Sequence, residues 1–111
     1  MEGLVRGDIA VVEFPYSDLK NSKRRPVLIL KVPKGGDVIV LQITGYSYEK
    51  LAEIALKNTD FNKGSLKRDS FVRVDKIASI ERSLIKYVAG SLKGDKFEEI
   101  LERVCIFLKA K

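Results

Sequence analysis

Gly7-Asp8-Ile9-Ala10-Val11-Val12-Glu13-Phe14-Pro15 and, beyond a polar loop over residues 16–23, Lys23-Arg24-Arg25-Pro26-Val27-Leu28-Ile29-Leu30 decide how this chain folds. Proline fixes its own φ and drives the preceding residue toward extended backbone, so Arg25 is expected to open a strand in a defined direction. The apolar runs on either side of the loop are rich in β-branched residues, which suit a pleated, buried surface. They predict two strands, over residues 4–14 and 26–32.

Working outward, Lys34-Gly35-Gly36-Asp37 is a turn signal and Val38-Ile39-Val40-Leu41-Gln42-Ile43 a third strand. The second and third runs are almost wholly apolar, which places them near the middle of a sheet covered on both faces. A polar stretch with Tyr46, Tyr48 and Lys50 follows Thr44-Gly45, then a short strand over 53–56 and a turn at Asn62-Lys63-Gly64. Residues 70–77 alternate bulky apolar with polar side chains, as a half-exposed strand should, and this puts Arg73 and Asp75 on one face. A helical turn over 80–84 and a strand over 86–92 are expected next. From Asp95 the pattern is helical: Asp95 with Glu98 is a variant of the capping box, and Phe97, Ile100, Leu101, Val104 and Leu108 form one apolar stripe. Cys105 borders that stripe and reads as a small buried hydrophobe. The pattern is that of a single domain over residues 1–111, mainly β, a small barrel-like sheet with a C-terminal helix packed against it.

The residue inventory removes most catalytic chemistries. The 111 residues include no histidine and one cysteine, so imidazole acid–base pairs, Ser-His-Asp triads, thiolate metal clusters and internal disulfides are all excluded. No close carboxylate pair of the two-metal nuclease kind is present, and Gly35-Gly36 is a hairpin turn and no phosphate loop. No metal and no cofactor are expected. Lys plus Arg number 21 against 15 Asp plus Glu, a net charge of +6, which favours a polyanionic partner. The start of the chain is too short and polar for a signal peptide, and no apolar run reaches membrane-spanning length, so the expectation is a cytoplasmic protein with no membrane partner. RNA is a substrate that such a chain can still cut. Its own 2′-hydroxyl attacks the adjacent phosphate, and the protein supplies orientation, proton transfer and charge stabilisation.

The Arg6-Gly7-Asp8 opening, the Arg25-Pro26 strand, the strand ending Gln42-Ile43-Thr44, the Arg68-Asp69-Ser70 approach to residues 71–77 and the final helix together resemble the MazF/PemK family of toxin ribonucleases. The resemblance spans nearly the whole chain. It implies a small SH3-like β-barrel of the MazF/CcdB toxin type, and an endoribonuclease that is the toxin of a type II toxin–antitoxin system. It implies a two-fold homodimer and a cognate antitoxin with an acidic, disordered segment. In the family, the arginine before this proline and a threonine ending the next long strand form an active-site pair, matching Arg25 and Thr44. Other relatives use an arginine and an aspartate two residues apart on a later strand, matching Arg73 and Asp75. Those relatives also carry a histidine in the first loop, where this chain has Ser22.

Arginine keeps its proton to a pKa above about 12, so it is suited to binding a phosphate bidentately and stabilising its developing charge, and unsuited to acting as a base. Thr44 can hydrogen-bond a phosphate oxygen or the 2′-hydroxyl. Asp75 is the base candidate that shares a strand face with an arginine; the same pair also reads as a plain surface ion pair. Tyr46 and Tyr48, beside Lys50, either stack on bases or cover the barrel end. Lys23 and Arg24 are phosphate contacts that steer RNA. The competing readings are a non-catalytic toxin or binding module on the same fold, namely a gyrase inhibitor or an RNA-binding protein that does not cut.

Overall fold

A computed structural model describes residues 3–15 and 22–111. The polar loop after the first strand falls largely on residues 16–21 and lies outside the described residues. Among the described residues the chain forms β1 (Asp8–Pro15), β2 (Ser22–Lys31), β3 (Val38–Thr44), β4 (Glu53–Leu56), β5 (Phe61–Gly64), β6 (Ser70–Ile80), β7 (Ile85–Leu92) and α1 (Gly94–Lys109). The strands make one antiparallel sheet in the order β4-β6-β3-β2-β1-β7-β5, curled into a half-barrel with the helix at its end. The mainly β fold with a C-terminal helix expected from the sequence is the one observed.

The apolar runs of β2 and β3 lie at the centre of the sheet and are buried on both faces. Alternation sends Leu28 and Leu41 into a cluster with Ile9, Val72 and the helix residues Phe97, Ile100 and Val104. Val27, Ile29, Val38 and Val40 go to the opposite face, with Ala10, Val12, Ile80 and Ile85. Burying both faces is what makes a near-continuous apolar run the right sequence for a central strand. Register shifts between Ile9 and Ala10, Val11 and Val12, and Leu41 and Ile43 interrupt the ladders, and such bulges bend and twist strands toward closure.

Several expectations need correction. β2 begins at Ser22, so Arg25 and Pro26 sit inside the strand and do not open it. Pro26 is tolerated there because its register partner is Val11 on β1, while pairing with β3 starts only at Val27↔Gln42, where no Pro26 amide is needed. Residues 62–64, read as a turn, belong to the edge strand β5 beside β7. Gly64 has φ +72°, and a Cβ there would lie 2.1 Å from the Ala89 carbonyl oxygen, so the position requires glycine. β6 runs on to Ile80, and the helical turn read over 80–84 is a single 3₁₀ turn at Arg82–Leu84. Lys93 precedes α1 with no side-chain cap. Asp95 lies in the first turn, where its carboxylate accepts the Lys96 N–H at 2.9 Å and favours the helix dipole. The buried stripe of α1 ends at Val104: Leu101 is half-buried, whereas Cys105 and Leu108 are exposed because the sheet no longer covers the last turn.

Candidate nucleic-acid site

The β1–β2 ladder continues to Pro15↔Ser22, whereas β1 leaves β7 at Val12↔Ile85 and β2 leaves β3 at Val27↔Gln42. Lys23, Arg24 and Arg25 therefore stand on a two-stranded arm that outruns its neighbours, and all three are exposed. Arg24 faces its register partner Glu13, Nε to Oε1 at 3.4 Å, and the other oxygen of Glu13 lies 3.7 Å from Lys86 Nζ. These exposed pairs contribute little to stability and keep a carboxylate among the cations. Arg25 and Thr44, the last residue of β3, line the same cleft.

Between this arm, the end of β3 and the segment before β6 lies a cleft of about 810 Å³. Its apolar floor includes Val11, Pro26, Ile43 and Leu66; its rim carries Lys23, Arg24, Arg25, Lys67 and Arg68. Thr44 borders it, and its Oγ1 accepts the Tyr46 N–H at 3.3 Å, leaving the hydroxyl's own proton to be donated elsewhere. Tyr46 and Tyr48 line the same cleft, each well exposed. Six of the residues singled out from sequence thus converge: Lys23, Arg24, Arg25, Thr44, Tyr46 and Tyr48. Lys50 sits in a 3₁₀ turn away from the cleft lining, and Arg73 and Asp75 lie on β6 outside it. Lys67, Arg68 and Tyr87 join the lining although none was named as a site residue; Arg68 had entered only through the Arg68-Asp69-Ser70 motif. Lys67-Arg68 was visible as a basic dipeptide before β6, but only the fold carries it across to Tyr46, whose ring centroid lies 5.0 Å from Arg68 Cζ.

Arg73 and Asp75 do share a face, and they grip each other bidentately, Nε to Oδ1 at 2.9 Å and Nη2 to Oδ2 at 2.8 Å. They occupy the stretch where β6 advances from Val72 to Ile77 while β3 advances only from Ile43 to Leu41. The Arg73 fork holds the Asp75 carboxyl below the usual carboxylate range, and Asp75 in turn raises the guanidinium. A carboxylate stabilised in this way is a weaker base than an ordinary one. Because the folded pKa of Asp75 is depressed, its contribution is complete above the unfolded aspartate pKa and is lost as the pH falls through the folded value. Asp75→Ala should therefore destabilise the fold by about 1–2 kcal/mol at pH 7, with the gap from wild type closing in strong acid. Denaturant unfolding at both pH values measures it.

Among the described residues no three His, Cys, Asp or Glu side chains gather as a metal site, and no helix is long and apolar enough to cross a membrane. Several solved structures share the fold. A mycobacterial endoribonuclease in complex with its cognate antitoxin superposes with a TM-score of 0.76 at 15% identity, covering 98% of each chain. The Mycobacterium tuberculosis toxin MazF-mt6 gives 0.72 at 22% identity, over 94% of this chain and 98% of that one. The MazE-MazF structure from Deinococcus radiodurans gives 0.76 at 18% identity, over 97% and 98%. No curated protein matches the chain in sequence. The family described as PemK-like, MazF-like toxin of type II toxin-antitoxin system, however, matches residues 5–108, and with the half-barrel and helix in place the chain belongs to that family.

Proposed function

We propose that this chain is a toxin that cuts single-stranded RNA endonucleolytically, without a metal, through the substrate's own 2′-hydroxyl. The observation that carries the reading is the convergence of Arg25, Thr44, a basic rim and two exposed tyrosines in one cleft. In the proposed step the 2′-oxygen attacks phosphorus, the bond from phosphorus to the 5′-oxygen breaks, and the attacking hydroxyl's proton is lost as the leaving oxygen gains one. Arg25 binds the non-bridging oxygens and stabilises the charge that grows there. Thr44 donates its hydroxyl to a phosphate oxygen. Lys23, Arg24 and Lys67 hold neighbouring phosphates, and the tyrosines meet unstacked bases. The Arg73–Asp75 pair is assigned to shaping the adjoining loop, because its members satisfy each other outside the cleft.

The same cleft suits a protein inhibitor. An apolar floor under a basic rim matches an acidic, disordered antitoxin segment that folds on binding, sets carboxylates against Arg24 and Arg25, and excludes RNA. Two of the similar structures are themselves complexes with an antitoxin or with MazE. A homodimer would pair two clefts into a longer basic groove. Induced expression in a bacterial host tests the reading: wild type should arrest growth with loss of full-length mRNA, and Arg25→Ala should grow normally. Identical growth of the two strains would reject it.

A further inference from the structure

The segment joining β3 to β4 carries Tyr46 and Tyr48 at 62% and 68% exposure, yet it is fastened from beneath. Glu53, the first residue of β4, is only 7% exposed, and its carboxylate gathers three donors from the loop: the Ser47 hydroxyl, the Tyr48 N–H at 3.1 Å and the Glu49 N–H at 3.4 Å. The Ser47 hydroxyl foremost, with the two amides and Arg73, holds that carboxyl below its ordinary pKa, so it is an anion at neutral pH. Arg73 is the register partner of Glu53 on β6, and its guanidinium carbon stands 5.4 Å from the centre of the Tyr48 ring. Arg68 makes the equivalent contact with Tyr46 at 5.0 Å. Gly45 leaves space for it, since a Cβ there would lie 2.3 Å from Arg68 Nη2. Each tyrosine thus has a cation against its ring and much of its surface open to solvent.

We propose that Glu53, Arg68 and Arg73 are positioning residues that hold Tyr46 and Tyr48 as two preformed stacking ledges for unpaired nucleobases of a single strand lying in the cleft. A ring already fixed in orientation loses less entropy when a base lands on it, so the gain is in substrate binding and not in the chemical step. Glu53 is the centre of the device because one buried carboxylate sets the backbone on both sides of Tyr48. The inference rests on the RNA reading above, but it concerns binding of bases and can be read without any cleavage.

The test uses a fluorescent single-stranded oligonucleotide whose 2′-deoxy backbone prevents cutting, with single abasic replacements walked along it. Wild type should lose about tenfold or more in affinity at one or two abasic positions, the scale of base–aromatic stacking. Glu53→Gln should bind the intact strand about as weakly as wild type binds the abasic one, and should show little further loss on abasic replacement. On a cleavable strand the same variant should raise KM by a similar factor with kcat within about twofold of wild type. Should Glu53→Gln fail to fold, the exposed Arg68→Ala gives a second reading, with the abasic penalty lost at one position only. An unchanged abasic profile in the variants overturns the inference even if RNA is cut. An abasic profile as expected in a protein that never cuts RNA upholds it and overturns the ribonuclease reading.

Discussion

Arg25→Ala should lower the rate of RNA cleavage by about 10²-fold or more, the loss seen when a single donor aimed at transition-state charge is removed. The side chain is exposed on the β1–β2 arm, and its β2 neighbours Val27 and Leu28 carry the burial, so the fold should be kept. Substrate affinity should fall far less than the rate, because Lys23, Arg24 and Lys67 still hold phosphates along the rim. Arg25→Lys should restore little. An ammonium is a point charge, whereas two non-bridging oxygens are matched by a planar fork. Single-turnover rates on one oligonucleotide, with binding measured separately, distinguish lost chemistry from lost affinity. If Arg25→Ala cuts normally while Arg73→Ala and Asp75→Ala do not, the reactive pair is the one on β6.

Replacing one ribonucleotide with its deoxy form at the cut site should abolish cleavage there altogether. The nucleophile in this mechanism belongs to the substrate, so no side chain can compensate for its absence. The chain has no histidine and its lone Cys105 is exposed on the last turn of α1, at the far end of the chain from the arm residues. Binding of the deoxy substrate should stay within a few-fold, since phosphates and bases provide the contacts. Cutting of the deoxy strand at an undiminished rate would mean that an activated water attacks instead.

How much of this was written in the sequence depends on which force decides each element. β2 and β3 were legible because double-sided burial leaves no alternation, only a run of apolar residues ended by Gly35-Gly36. The helix was legible from the spacing of Phe97, Ile100 and Val104, but its length beyond the sheet was not. Leu108 continues the stripe and Cys105 borders it, and both are exposed among the described residues. β5 was illegible because Asn62, Lys63 and Gly64 are polar or flexible, as an exposed edge strand can be, and its pairing with β7 is a long-range fact. At the site, Arg25 on β2, Thr44 at the end of β3 and Tyr46 and Tyr48 just beyond it had all been named, Arg25 and Thr44 through the family resemblance and the tyrosines from the residues themselves. Arg68 and Glu53 were missed, since what matters about them is a contact with the tyrosine loop made only in the folded chain. Periodicity reports which face a residue occupies, and it is silent on what lies across a loop.

The central claim is tested most directly by incubating the purified protein with a long single-stranded RNA in excess EDTA and determining the chemistry of the new ends. The mechanism requires cuts within the chain that survive chelation, a 5′-hydroxyl on one fragment and a 2′,3′-cyclic phosphate or its 3′-phosphate hydrolysis product on the other. Fragments with a 5′-phosphate and a 3′-hydroxyl, or cutting that stops on chelation and returns with a divalent cation, would contradict it.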